Sequence, residues 1–202
     1  MKTGSCFVAV SLVSALSAFG QAPSPTASQG MHLNVFGVGS YVKPAFQNAR
    51  DGFGFSVGGS LGFTVPGLHH IEPALEGRYS YARSASAPYI VPQAVSESVP
   101  SVGIRVTWHA SRFHPYGNLL IGPGTIRFLG PVLIAPNYTQ NNSLVWTYGG
   151  GLDYDLTRSW AVRAEVQGEH WKLSSTDPAF HPLRAGVGVR YQFHFRNRFG
   201  PE

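Results

Sequence analysis

Acidic and arginine side chains recur at every second position along several segments of this chain. In an extended segment this spacing places the charged side chains on one face, opposite a face of apolar residues. Charges of both signs on one narrow face can form a buried ion-pair network, or they can line a polar pore or gate. Because unpaired buried charges are costly, we favour the network. The candidate residues are Glu72, Glu76, Arg78, Arg105, Asp153, Asp155, Arg163, Glu165, Glu169, Arg184 and Arg190.

Counting residues from the neighbouring turns suggests which of these charges meet. Glu76 and Arg105 fall at similar heights on neighbouring segments, and so do Glu165 and Arg190. We therefore predict the ion pairs Glu76–Arg105 and Glu165–Arg190.

The histidines invite a catalytic or metal-binding interpretation, but the sequence offers little support for either. His109 and Ser111 lie two residues apart and therefore share one face of an extended segment. A histidine beside a serine could support acyl transfer, which leaves a lipid-modifying enzyme as the least favoured alternative. The chain contains no HExxH motif, and Cys6 is its single cysteine. We therefore predict no catalytic site, no cofactor and no metal site.

The composition limits the class of protein that can carry these charges. Only 12% of the residues are charged, whereas a soluble globular domain has about 25%. Lysine occurs only at positions 2, 43 and 172, so we expect much of the surface to face something other than water. The sequence pI of about 9.6 depends on scattered arginines without a basic run, and we predict no nucleic-acid binding.

The N-terminal region has the pattern of a secretory signal peptide. Lys2 precedes an apolar run over 6–15, and Ala18-Phe19-Gly20 is a small-x-small cleavage site. The run is shorter than the roughly 20 residues that a membrane-spanning helix needs. We predict a signal peptide over 1–20 and a disordered lead-in over 21–30.

The segments that position the charged residues alternate between apolar and small or polar residues. The same alternation appears without charge in Phe53–Val65, where every odd position except Gly59 is large and apolar and the even positions are glycine, serine or threonine. The same period of two recurs over about ten to thirteen residues in each of several segments, the length of a membrane-spanning strand. We predict eight strands, although the faces of 32–43 and 115–128 cannot be assigned. A soluble barrel with the apolar face turned inward is the alternative.

The predicted connections alternate in length along the chain. Long connections are predicted over 44–52, 83–97, 129–143 and 173–182, and short ones over 66–70, 110–114 and 157–158. Outer-membrane barrels have short periplasmic turns, longer external loops and an even number of strands. We therefore predict an all-β, eight-stranded antiparallel up-and-down barrel in a Gram-negative outer membrane.

Aromatic residues cluster near both ends of the predicted strands, as in the interfacial girdles of membrane barrels. We assign Trp108, Tyr154, Trp160 and Phe193 to the periplasmic end. We assign Tyr41, Phe53, Tyr79, Tyr81, Trp146 and Trp171 to the external end.

With this strand count and loop pattern, the chain resembles the small eight-stranded outer-membrane barrels, such as the membrane domain of outer membrane protein A. The resemblance covers 31–199, followed by a tail over 200–202. The last strand is similar to the family's barrel-assembly signal, carried here by Gly186, Gly188, Tyr191, Phe193 and Phe195. The family usually ends on an aromatic residue, whereas this chain continues as RNRFGPE after Phe195.

The resemblance implies a structural or surface-interaction role in the cell envelope, with the lumen filled by the ion-pair network. A small-solute, porin-like channel is the alternative. The implied partners are outer-membrane lipids, the barrel-assembly machinery and an external ligand bound through the long loops.

Overall fold

The computed structural model describes residues 31–44, 49–65, 67, 70–86, 94–129, 140–172 and 180–193. The strand pattern of the sequence appears in it as eight strands. These are β1 (Met31–Lys43), β2 (Ala49–Phe63), β3 (Ile71–Ser86), β4 (Ala94–Trp108), β5 (Phe113–Leu129), β6 (Gln140–Asp155), β7 (Trp160–Trp171) and β8 (Leu183–Phe193). None of the described segments is a helix that is long and apolar enough to cross a membrane.

The strands form one closed antiparallel barrel in chain order, with β8 paired to β1. The closing register runs from Leu33 opposite Phe193 to Lys43 opposite Leu183. Closure gives every strand two hydrogen-bonded neighbours, so no strand edge is left open. The predicted fold class is confirmed.

β1 to β6 are longer than the sequence pattern suggests, and the connections 44–48, 87–93, 109–112 and 130–139 are correspondingly shorter than predicted. The connections 64–70, 156–159 and 172–182 are slightly longer than predicted. The loop end carries the connections over 44–48, 87–93, 130–139 and 172–182, whereas the turn end carries 64–70, 109–112 and 156–159. The predicted length alternation is wrong for the first three connections, because 44–48 is shorter than 64–70 and 87–93 is as long as 64–70. Serine-rich ends of β3 and β4 still pair in the ladder, from Arg83 opposite Ser96 to Ser84 opposite Val95, although they lack apolar alternation.

The outer wall of the barrel is apolar, as predicted for the assigned strands. Phe53, Ile104 and Val187 are 75%, 60% and 64% exposed, respectively. An exposed apolar wall on a closed barrel is suited to contact with lipid. Aromatic contacts mark both ends, with Tyr41 against Phe53 at the loop end and Trp160 against Tyr191 at the turn end.

The structure also assigns the two strands whose faces the sequence leaves open. In β1 the buried, inward set is Asn34, Phe36, Val38, Ser40 and Val42. In β5 the inward set includes His114, Tyr116, Asn118, Leu120 and Ile126. Both strands therefore contribute apolar and aromatic side chains to the lumen, in addition to polar ones.

Replacement of Val187 by Arg tests the assignment of the outer wall. Because Val187 lies in the middle of β8, we expect the free energy of unfolding in lipid to fall by roughly 2–4 kcal/mol. Val187→Leu is the matched control, and Thr107→Ser tests the inner face, where the cost should be smaller. Equal costs for Val187→Arg and Val187→Leu would contradict the assignment. Urea titration of the protein in lipid vesicles measures all three variants.

Candidate functional site in the barrel interior

Asp153 is the centre of the charged layer in the barrel interior. Its carboxylate is fully buried and accepts hydrogen bonds from Arg163 Nε at 2.8 Å and from Arg163 Nη2 at 2.9 Å. Arg105 Nη2 donates at 2.7 Å from β4, and Arg190 Nε lies 3.5 Å away on β8. One carboxylate therefore joins guanidinium groups from β4, β7 and β8, and β4 is adjacent to neither of the other two strands.

Glu165 and Arg78 form the second part of this layer. Arg78 on β3 makes a bidentate ion pair with Glu165 on β7, at 2.7 and 2.9 Å. Arg78 also reaches Glu76 at 3.0 Å, and Asn118 Nδ2 donates to the same Glu76 oxygen at 3.1 Å. The Tyr116 hydroxyl donates to Glu165 at 2.9 Å. Because β3 and β7 are on opposite sides of the barrel, the Arg78–Glu165 pair crosses its diameter.

Two aromatic rings pack against the arginines of this layer. The Arg78 and Arg163 guanidinium groups lie 4.9 and 4.2 Å from the centroid of the Phe36 ring. Arg105 lies 3.8 Å and Arg163 4.8 Å from the centroid of Tyr116. A guanidinium over an aromatic face is stabilised by the ring quadrupole, more strongly where water is excluded. Each ring therefore stabilises two of the buried arginines.

The glycines of the inner wall make room for these rings. A Cβ atom at Gly58 would lie 2.6 Å from Cζ of Phe36, and one at Gly151 would lie 2.8 Å from the Tyr116 hydroxyl. The small side chains of Phe53–Val65 therefore do not leave an empty lumen. They leave the space that Phe36 and its stacked arginines occupy.

The predicted pair Glu76–Arg105 is long, with 3.8 Å between Glu76 Oε2 and Arg105 Nη1. The predicted pair Glu165–Arg190 is not present. The β7–β8 register places Glu165 opposite Gly186 and Arg190 opposite Ala161, so the two residues differ by four positions in height. Four strand residues span about 13 Å, which is too far for an ion pair.

A second charged cluster lies closer to the loop end. Arg184 contacts Glu169 at 2.8 Å and Glu97 at 3.2 Å, and all three side chains are buried. Trp171 Nε1 donates to Glu169 at 2.7 Å. Glu97 lies within the predicted connection 83–97, so the sequence pattern does not identify it as a lumen residue. The assignment of Trp171 to the external aromatic girdle is wrong, because the structure buries this ring completely inside the barrel.

Trp171 belongs to an apolar cluster that fills the lumen at the loop end. Its members, which we call the loop-end plug, are Val95, Val99, Ile126, Val145, Trp171 and Phe180. The Trp171 and Phe180 rings stack with centroids 5.6 Å apart. The loop-end part of the lumen therefore holds both the apolar plug and the buried charges Glu97, Glu169 and Arg184.

A polar cavity of about 330 Å³ opens at the turn end. His109 and His114 lie in its wall, with their Nδ1 atoms 3.2 Å apart. Glu72 accepts from His109 at 3.2 Å, and Asp155 accepts from His114 at 2.7 Å while also pairing with Arg190 at 2.7 Å. In the described part of the chain, no group of three or more His, Cys, Asp or Glu residues is arranged to hold a metal ion.

The serine-based alternatives receive no support from this geometry. The polar partners of the His109 ring are Glu72 and His114, and Ser111 lies in the exposed turn. The segment 58–62 also reads G-x-S-x-G, but Ser60 is buried in the middle of β2. The corresponding serine in hydrolases is exposed at a sharp strand-to-helix turn.

The residues of the predicted assembly signal lie on β8, except for Phe195, which is outside the described residues. Gly186 and Gly188 face inward against β1, where a Cβ atom at Gly186 would lie 2.7 Å from the Gly39 carbonyl oxygen. The Tyr191 and Phe193 rings contact one another near the turn end, with their centroids 4.9 Å apart. The glycines therefore also have a packing role at the seam that closes the barrel.

Basic side chains are exposed on the outer wall at the loop end. Arg83 and Arg127 flank Ser96 in one row across β3, β4 and β5, because each is in register with it. Strands about 4.8 Å apart place the two arginines about 10 Å from one another at the backbone. Lys43, Arg50 and Lys172 are also exposed near this end. We call Arg83, Ser96 and Arg127 the basic row.

Comparison with known proteins places this barrel among outer-membrane proteins. A family model described as the outer membrane protein beta-barrel domain matches residues 8–193. The structure of Ail, the attachment invasion locus protein of Yersinia pestis, has a TM-score of 0.52 at 16% identity and covers 81% of this chain and 99% of Ail. Neisserial surface protein A has a TM-score of 0.56 at 12% identity, covering 82% of this chain and 98% of its own.

A second structure of Ail, in complex with the heparin analogue sucrose octasulfate, has a TM-score of 0.51 at 16% identity. It covers 81% of this chain and 99% of that chain. At these identities the likeness shows the fold alone. No curated protein matches the chain.

Replacement of Asp153 by Asn tests how far the interior depends on its central carboxylate. The change leaves Arg105 and Arg163 buried without their shared anion, so we expect the free energy of unfolding to fall by about 3–5 kcal/mol. Asp51→Asn is the matched control, because Asp51 is exposed and its partner is Tyr41; its loss should cost at most about 1 kcal/mol. Similar losses for both variants would show that the interior charges do not act as a network.

Proposed function

The chain belongs to the family of outer-membrane protein β-barrel domains, and on that premise we propose that it is a structural and surface-interaction barrel with a closed lumen. The observation that carries the proposal is the complete burial of Asp153 and Arg163 in the lumen, with the loop-end plug between them and the loop end. An eight-stranded barrel has an interior just wide enough for side chains. A filled lumen of this kind anchors external loops without passing solutes.

We propose the orientation that the family uses, with the turn end in the periplasm and the loop end outside. In this arrangement 1–20 is the signal peptide, 21–30 is the lead-in, 31–199 is the barrel and 200–202 is the tail. Residues 1–30 and 194–202 lie outside the described part of the chain.

The proposed partners follow from the outer surface. The apolar wall takes outer-membrane lipid, and β8 carries the residues through which the barrel-assembly machinery would recognise the chain. A proposed non-enzymatic role agrees with the contacts of His109, which involve Glu72 and His114.

The basic row is suited to binding a ligand that carries clustered sulfate or phosphate groups. Two arginines on either side of the Ser96 hydroxyl can donate several charge-assisted hydrogen bonds to one such group. Ail, which shares the fold, has been crystallised with a sulfated heparin analogue. The same chemistry suits the phosphates of an outer-leaflet lipid, so both sources are tested below.

A planar-bilayer measurement distinguishes the closed barrel from the small-solute channel. We expect little steady conductance from the wild-type protein, because the ion pairs and the loop-end plug fill the lumen. Glu165→Ala leaves Arg78 without its bidentate partner, and water drawn to that charge should raise the conductance. Asp51→Ala, outside the lumen, is the control. A stable, ion-selective wild-type current that Glu165→Ala leaves unchanged would establish the channel instead.

Binding of sucrose octasulfate and of phosphate-bearing lipid vesicles tests the basic row. We expect the double variant Arg83→Gln/Arg127→Gln to lose about tenfold or more in affinity, with weaker wild-type binding at high salt. Arg158→Gln, at the turn end, should bind as the wild type does. A loss confined to the vesicles would identify the lipid as the source, and a loss confined to the sulfated probe would identify an external polyanion. Unchanged affinity for both would exclude the row as a ligand site.

A further inference from the structure

The two histidines at the turn end have an arrangement that the closed-lumen function does not use. The His109 and His114 rings lie with centroids 4.8 Å apart and meet through their Nδ1 atoms, 3.2 Å from one another. Each ring directs its other nitrogen, Nε2, to a carboxylate: Glu72 at 3.2 Å and Asp155 at 2.7 Å. The order across the mouth of the barrel is therefore carboxylate, imidazole, imidazole, carboxylate.

Hydrogen-bond counting shows what the gap between the rings requires. An ionised carboxylate only accepts hydrogen bonds, so both Nε2 atoms must carry the donated hydrogen. A neutral imidazole carries one hydrogen, which leaves a lone pair on each Nδ1. Two lone pairs 3.2 Å apart cannot bond to each other. With both carboxylates ionised, the two Nδ1 atoms attract each other only through a cation between them, which is either a proton or a metal ion.

The dimensions of the gap fit a metal ion. Zinc binds imidazole nitrogen at about 2.0–2.1 Å, so two nitrogens in a tetrahedral shell stand about 3.3 Å apart. The Nδ1 atoms are 3.2 Å apart, so a small rotation of either ring brings them to the separation that a tetrahedral zinc ion needs. Imidazole suits zinc, copper and nickel, whereas calcium and magnesium prefer oxygen ligands.

The two carboxylates complete the arrangement found around histidine-bound metals. Metal-ligating histidines almost always donate their second ring nitrogen to a carboxylate, a carbonyl or water, which sets the tautomer and raises ligand basicity. Glu72 and Asp155 occupy this position on both rings. The Asp155 carboxylate is itself held by Arg190 at 2.7 Å, so the His114 ring is oriented from β6 and β8 together.

We propose that His109 and His114 form a binding site for one divalent transition-metal ion, with Glu72 and Asp155 as positioning residues. The protein supplies two nitrogen ligands, and the adjoining cavity of about 330 Å³ admits the water molecules that complete the shell. His109 is partly exposed on that cavity, whereas the His114 side chain is 8% exposed, so the ion enters from the turn end. In the proposed orientation this is the periplasmic side.

Zinc titration of the full barrel in detergent micelles tests the site. A second histidine pair, His170 and His181, is exposed with Nδ1 atoms 3.4 Å apart, and it could bind the probe as well. The titration therefore uses a His170→Gln/His181→Gln background. Competition with a zinc-sensitive dye gives the affinity, and cobalt(II) absorption reports nitrogen ligation independently of zinc.

In that background we expect saturable binding of one zinc ion per barrel. His109→Gln and His114→Gln should each abolish it, and Glu72→Gln should weaken it by roughly 10- to 100-fold while leaving both ligands in place. His70→Gln is the control, because His70 is exposed at the same end and stacks on Trp108 instead. Each variant must first show the β spectrum and heat-modifiable migration of the folded barrel.

Three results would overturn the proposal. The first is the absence of zinc binding at millimolar zinc in the folded background protein, which would leave a shared proton as the cation in the gap. The second is an equal affinity in the folded His114→Gln variant. The third is a loss with His70→Gln that matches the loss with His109→Gln. None of these results bears on the conductance of the barrel, so the closed-lumen proposal stands or falls separately.

Discussion

The cost of burying charge in a narrow lumen is the constraint on which the rest of this structure depends. A guanidinium or carboxylate group taken out of water is costly unless it has charged and hydrogen-bonding partners. Asp153 meets that condition with three arginines, and Glu165 meets it with Arg78 and the Tyr116 hydroxyl. The outer wall cannot share this task, because it faces lipid. All of the charge on the membrane-spanning inner face must therefore balance within the lumen itself.

Space for this balance comes from residues that carry no charge. Glycine at positions 58 and 151 leaves volume for the Phe36 and Tyr116 rings, which in turn pack against the arginines. The glycine-rich face of β2 and the aromatic residues of β1 and β5 are thus parts of one arrangement. Toward the loop end the apolar loop-end plug fills the lumen in the same way. The charged residues there are Glu97, Glu169 and Arg184.

The strand count, closure and outward faces could be predicted because alternation in Phe53–Val65 and its counterparts is a local property of the sequence. The ion pairs in the lumen could not be predicted, because the heights of their residues depend on the stagger between strands. Counting from the turns placed Arg190 beside Glu165, but the stagger gives that position to Gly186. Phe36, Tyr116 and Glu97 were missed for related reasons: two lie on strands with mixed faces, and one lies where alternation fades into serine.

The ion pairs that cross the barrel also bear on how it assembles. Arg78 and Glu165 are 87 residues apart in the chain, and so are Glu97 and Arg184, yet each pair joins strands on opposite sides. A partly formed sheet has the arginines of β3 and β4 without the acids of β6 and β7. Contacts with such large sequence separation form late, because the intervening chain must be ordered first. Insertion into lipid should therefore be cooperative, with few stable intermediates and a barrier set by closure of the last strand.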